Sequence, residues 1–179
     1  GQHTDLLSHI EGDFVRLNVK DGENRLDSIV SSIMNQGHIF ENITSVIVQG
    51  DTTSAFGVAL AAFHRQIPVL HLEAGLRTYD LAHPYPEEFN RQAISRIAAF
   101  NFCPTARSYS HVEQEKTPGK RFVVGNTVLD NLIHLKPSYS DNVIVTMHRR
   151  ENHHWMDQWF KKIDALAAKH ADLNFILPL

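Results

Sequence analysis

The chain is expected to fold as an α/β protein, with a doubly wound parallel sheet left incomplete at both ends. Three observations predict this. Short apolar runs rich in Val, Ile and Leu alternate with amphipathic segments at helical spacing, turn residues separate them, and the pattern restarts after a polar connector at Lys136–Asp141 (KPSYSD). Alternation of this kind places parallel strands side by side with helices packed on both faces.

Each element has its own warrant. Leu26, Ile29, Val30 and Ile33 recur at helical spacing within 23–35, and Gly37 ends the run. A β-branched strand over 45–48 follows, and Asp51, Thr52 and Thr53 are cap residues for a helix over 55–64. Next come a strand over 67–72, a helix over 88–100, a short strand at Phe102 and a helix over 105–115 closed by Pro118 and Gly119. A strand over 121–124 and a helix over 128–135 complete a first domain, 1–136. The second, 142–179, contributes a strand over 142–147, a helix over 155–170 and a strand over 173–177. Trp155, Trp159, Ile163 and Leu166 form the expected inward stripe of that helix. A strand, a helix and a strand cannot cover both faces of a parallel sheet, so the chain reads as a fragment.

Composition narrows the function. Of 179 residues, 42% are hydrophobic and the formal net charge is −3, with no basic stripe, so neither nucleic acid nor a membrane surface is an expected partner. The single cysteine, Cys103, has no internal disulfide partner. No apolar run is long enough to span a bilayer and no signal-peptide pattern opens the chain, so the cytoplasm is the expected compartment.

Two blocks carry chemistry. In Val48–Arg91, Asp51, Glu73 and Glu87 stand at predicted element ends; in Val145–Glu151 (VTMHRRE), His148 follows a strand beside Arg149 and Arg150. Acids at the carboxyl ends of parallel strands lie where such sheets bind ligands. Each also has a plain structural role open to it. Asp51 can cap a helix, Glu73 can pair with Arg77, and Glu87 can favour a helix dipole after Pro86. His148 titrates near neutrality beside two guanidinium groups suited to phosphate, although twelve histidines make any one of them ordinary. His153 and His154 lack the spacing of a metal site, and no Walker lysine or GxGxxG motif is present.

Five blocks taken together, GDTTSAFGVALAAF, IPVLHLEAGLRT, PYPEEFNR, GNTVLDNL and VTMHRREN, resemble the non-hydrolysing UDP-N-acetylglucosamine 2-epimerases. The resemblance implies a glycosyltransferase-B-like architecture of two Rossmann-like domains, in chains about twice as long as this one. It implies interconversion of UDP-N-acetylglucosamine and UDP-N-acetylmannosamine by loss and re-addition of UDP through a 2-acetamidoglucal, with no nicotinamide or metal cofactor. Asp51, Glu73, Glu87 and His148 match the catalytic set. Asp51, Glu73, His148 and Arg149 would contact the UDP-sugar, while Gln2, His3, Arg25 and Glu87 match an activator site for a second UDP-N-acetylglucosamine. A homodimer is implied for the complete protein. The amino-terminal GTRPE-type loop and the carboxy-terminal half of the family are not seen, and Ala82, His83 and Met147 depart from its usual residues. Two other readings remain open: a hydrolysing relative that releases N-acetylmannosamine, against which the PEEFNR block speaks, and a non-catalytic fragment that binds sugar nucleotides.

Overall fold

A computed structural model of the chain describes residues 15–146 and 154–178. By internal contacts the chain divides into a first unit ending at Ile133 and a second beginning at His134.

In the first unit Asn24 opens helix α1 (Arg25–Asn35), its side chain accepting from the Leu26 and Asp27 amides. A short 3-10 turn at Gly37–Phe40 leads to strand β1 (Val46–Gln49). Helix α2 (Thr53–His64) is capped by Thr52, whose hydroxyl accepts from the Ala55 amide, so the cap is Thr52 and the Asp51 carboxylate is left for other contacts. Strand β2 (Val69–Leu72), helix α3 (Glu87–Ile97), strand β3 (Phe100–Cys103), helix α4 (Ala106–Gln114) and strand β4 (Lys120–Val123) follow.

Two expectations fail at element ends for identifiable reasons. The helix expected over 88–100 stops at Ile97 because Ala98 turns extended and the Ala99 amide donates to the Val69 carbonyl at 2.8 Å, drawing Phe100 into the sheet. The helix expected over 128–135 is only a 3-10 segment, Thr127–Leu132. Leu129, Leu132 and Ile133 are exposed there, so no buried face sustains a longer helix.

The four strands run parallel in chain order, β1-β2-β3-β4, with Val46 beside Val69, Leu70 beside Phe100 and Phe102 beside Phe122. Right-handed connections between chain-ordered strands put the intervening helices on one face, and burial agrees. Val48, Val69, His71, Asn101 and Cys103 are buried beneath α2, α3 and α4, whereas their strand neighbours Ile47 and Phe122 are exposed. On that second face Phe100, Phe102 and Phe122 stack, with Phe102 and Phe122 ring centroids 5.8 Å apart. The core joins Ile33 of α1, the small Ala59, Ala61 and Ala62 of α2, Val48, Val69 and Ile94. Gly57 lets α1 come close, since a Cβ there would lie 2.8 Å from Ile33 Cδ1.

In the second unit β5 (Asn142–Ile144) and β6 (Asn174–Ile176) pair in parallel around helix α5 (Met156–Lys169). The inward stripe is displaced from the expected one. Met156, Trp159, Ile163 and Ala167 are half-buried, while Trp155 and Leu166 are exposed. Trp159 and Ile163 are kept from the expected stripe, whereas Trp155 lies ahead of the helix rather than within it. Among the described residues no helix is long and apolar enough to cross a membrane.

Candidate active site

The carboxyl ends of β1 and β2 lie side by side. The Gly50 amide donates to the Leu72 carbonyl at 3.0 Å, and a Cβ on Gly50 would sit 3.6 Å from Glu73 Oε2. The turns after both strands therefore carry Asp51 and Glu73 to one edge of the sheet, where parallel α/β folds place their ligands.

Asp51 is held at several points. Arg91 of α3 pairs with its carboxylate, and the Asn90 side-chain amide donates to its backbone carbonyl at 2.9 Å. His71 Nε2 hydrogen bonds to the preceding carbonyl, that of Gly50, at 2.8 Å. Glu87, Asn90 and Arg91 are spaced i, i+3 and i+4, so they share one face of α3. Glu87 is thus directed to the side of the helix that meets Asp51, and its Oε2 is buried without a hydrogen-bond partner among the described residues.

Glu73 has backbone φ +61°, a left-handed conformation that costs energy for a side chain other than glycine and recurs at functional sites. Its Oε1 accepts from Gln49 Nε2 and from Thr127 Oγ1, each at 2.9 Å. The expected pairing with Arg77 does not form. Past the turn at Gly75, Arg77 makes a two-pronged ion pair with Glu115, at 2.6 and 2.8 Å, and its own side chain is buried. Glu73 is therefore partnered by neutral donors and Asp51 by a cation.

Glu88 went unmarked in the sequence. It is fully buried and accepts from the Thr78 and Tyr79 amides, both at 3.0 Å, and from Gln92 at 2.7 Å, while Arg91 Nη1 lies 3.3 Å from it. Burial would raise its pKa, but these hydrogen bonds to the ionised form outweigh that, and the carboxyl is held below its ordinary value. Arg91 consequently joins two carboxylates, Asp51 and Glu88. Spacing from Glu88 to Arg91 and Gln92 offered a faint sign of this. Nothing in the sequence pointed to Gln49 or Thr127, which reach Glu73 from β1 and from the 3-10 segment after β4.

Beside Glu73 opens a cleft of about 560 Å³, lined among others by Arg77, Thr105, Arg107, His111 and Asn126. Arg25 stands exposed at the start of α1. Gln2, His3, His148 and Arg149 lie outside the described residues. Among the described residues no group of three or more His, Cys, Asp or Glu side chains is arranged to hold a metal.

Comparison with known proteins agrees with the five sequence blocks. The profile of the UDP-N-acetylglucosamine 2-epimerase family matches residues 6–179. The UDP-N-acetylglucosamine 2-epimerase of Neisseria meningitidis serogroup A is 35% identical, over 99% of this chain and 56% of that protein. The Bacillus subtilis enzyme of the same name is 36% identical over 99% of this chain and 52% of its own length. Among solved structures, the N. meningitidis enzyme bound to UDP-GlcNAc superposes with a TM-score of 0.81 at 34% identity, covering 99% of this chain and 55% of that one. A Listeria monocytogenes protein described as a putative UDP-N-acetylglucosamine 2-epimerase gives 0.84 at 30% identity, covering 99% and 52%. The chain spans about half the length of the relatives it matches.

Proposed function

Because this chain belongs to the UDP-N-acetylglucosamine 2-epimerase family, we propose that the complete protein interconverts UDP-N-acetylglucosamine and UDP-N-acetylmannosamine without net hydrolysis. The observation that carries the reading is the contrast among three carboxylates at one sheet edge. Among the described residues Asp51 is paired with Arg91, whereas Glu73 accepts only from neutral groups and Glu87 keeps one oxygen unpartnered.

Inverting C2 needs a proton removed on one face of the sugar and a proton returned on the other, so two proton-transfer groups are required. In the proposed reaction a carboxylate takes the C2 proton, the C1–O bond to UDP breaks with its electron pair leaving on the diphosphate, and a C1–C2 double bond forms. UDP oxygen then re-adds to C1 while the second acid delivers a proton to the opposite face of C2. Glu73 and Glu87, which form no ion pair among the described residues, take the proton-transfer roles in this scheme. Asp51, paired with Arg91, orients the sugar and steadies positive charge developing at C1. His148 and Arg149 are assigned to the departing diphosphate, whose charge a cationic or proton-donating group would offset. Gln2, His3 and Arg25, with Glu87, form the proposed contact to an activating second UDP-sugar, in a homodimer of the complete protein.

Proton NMR of the complete protein in deuterium oxide tests the reaction. Deuterium is expected at C2 as the mannosamine isomer accumulates. Isomerisation with C2 protium fully retained would overturn the proton-transfer scheme, and release of free N-acetylmannosamine would assign the protein to hydrolysing chemistry.

A further inference from the structure

Beneath the Gly50–Asp51 turn lies a buried polar layer that the proposed chemistry does not use. His71 and Asn101 are register partners on β2 and β3, both fully buried, and Ser95 of α3 is buried beside them. Three of their polar atoms, His71 Nδ1, Asn101 Oδ1 and Ser95 Oγ, have no hydrogen-bond partner among the described residues, which is unusual for groups so placed. Asn101 already reaches Ser95, its amide nitrogen 3.5 Å from the Ser95 carbonyl.

The Gly50 carbonyl, 2.8 Å from Nε2, can only accept, so in the neutral ring the proton resides on Nε2 and Nδ1 is an acceptor. An Asn101 amide turned with its NH2 group towards His71 would supply Nδ1 with a donor, in exchange for its long contact to the Ser95 carbonyl. Desolvation by burial lowers the imidazole pKa to about 4, so the ring is neutral at physiological pH and can take this tautomer.

We infer that His71 is a positioning residue: its Nε2–H holds the Gly50 carbonyl and so sets the turn that presents Asp51 to the substrate. The ring lies under the sheet edge and touches no reacting atom. Its effect passes through the peptide joining Gly50 to Asp51, whereas Asn90 and Arg91 contact Asp51 itself. Without it the turn keeps the Gly50 amide bond to Leu72 and the Asn90 and Arg91 contacts, and loses the hold on the Gly50 carbonyl.

The kinetic part of the test rests on the epimerase reading; the spectroscopic part does not. Long-range nitrogen–proton correlation spectra of the complete protein, with the His71 signals assigned by loss in His71→Gln, are expected to show a neutral Nε2–H ring between pH 6 and pH 8. A protonated ring or an Nδ1–H tautomer would overturn the assignment. In turnover assays His71→Phe, which fills the space without a donor, is expected to lower kcat by about 10- to 100-fold with KM little changed. His71→Gln, whose amide can reach the same carbonyl, should recover most of the loss. Equal kcat in wild type and a folded His71→Phe protein would refute the positioning role, as would a His71→Gln protein that is folded yet no better than His71→Phe. If His71→Phe does not fold, the His71→Gln kinetics and the tautomer decide. A wild-type protein without epimerase activity but with the Nε2–H ring would remove the proposed reaction and leave the anchoring of the turn intact.

Discussion

Replacing Glu88 by alanine isolates the contact that ties the Thr78–Pro86 loop to the site. The carboxylate accepts two loop amides, Thr78 and Tyr79, both at 3.0 Å, and also meets Arg91, which pairs with Asp51. A hydrogen bond to a charged group contributes about 1.5–3 kcal/mol, which corresponds to about 10- to 100-fold in an opening equilibrium. Hydrogen exchange at the Thr78 and Tyr79 amides should therefore accelerate by that factor in Glu88→Ala. Removing one member of a buried ion pair adds a global cost of about 3–5 kcal/mol, because Arg91 is left with Asp51 alone. Glu88→Gln, which retains one acceptor oxygen, should give intermediate exchange rates. Mass-spectrometric exchange on peptides spanning 76–86, alongside thermal melting, measures both effects. Unchanged exchange at Thr78 and Tyr79 in a folded Glu88→Ala protein would refute the claim that this carboxylate organises the loop.

Gly75→Ala places a Cβ 2.1 Å from the Ser108 carbonyl oxygen at φ +91°, whereas Gly125→Ala, at φ +87°, meets nothing within 4 Å. The second substitution should cost about 1–2 kcal/mol from backbone conformation alone, the first clearly more, and denaturation midpoints of the two variants compare them directly. Lowering the pH should destabilise the protein through His71. Because its native pKa is about 4 against an ordinary 6.5, the unfolded chain binds a proton that the native state refuses. That stability is complete above pH 6.5 and falls by up to about 3 kcal/mol as the pH drops towards 4. A His71→Gln protein should show a flatter acid limb in urea titrations, and equal slopes would contradict the buried neutral ring. For the proposed reaction, His148→Ala should lower turnover by about two to four powers of ten and His153→Ala should change it little; near-normal turnover in a folded His148→Ala protein would remove His148 from the chemistry.

How much of this was legible in the sequence depended on whether the cause was local. Spacing alone located α1, because Ile33 and its i−3 and i−4 neighbours mark one face, and cap chemistry located the start of α2. The end of α3 was misplaced because Ala98 and Ala99 suit a helix, and only the contact between the Ala99 amide and Val69 ends it. In the site, Asp51, Glu73 and Glu87 were visible as acids at element ends. Their partners were not, since Arg91 and Thr127 reach them across 40 and 54 residues of chain. Arg77 stood near Glu73 in sequence and invited a pairing, but the turn at Gly75 and the nearer fit to Glu115 gave it another partner. Glu88 escaped notice because two consecutive glutamates at a helix start look alike until one of them is buried.

The chain order of the sheet bears on how the molecule assembles. Each strand of β1-β2-β3-β4 pairs with the next one to be synthesised, so the first unit can grow by adding one strand and helix at a time to an existing edge. Pairings between near neighbours in the chain form quickly, and ribosomal synthesis delivers them in the order the sheet needs. Glu73 gains its Thr127 hydroxyl only when the segment after β4 arrives. The fold can therefore be largely built before this edge of the sheet is complete, and a chain arrested ahead of Thr127 would hold a sheet whose Glu73 lacks one of its two donors.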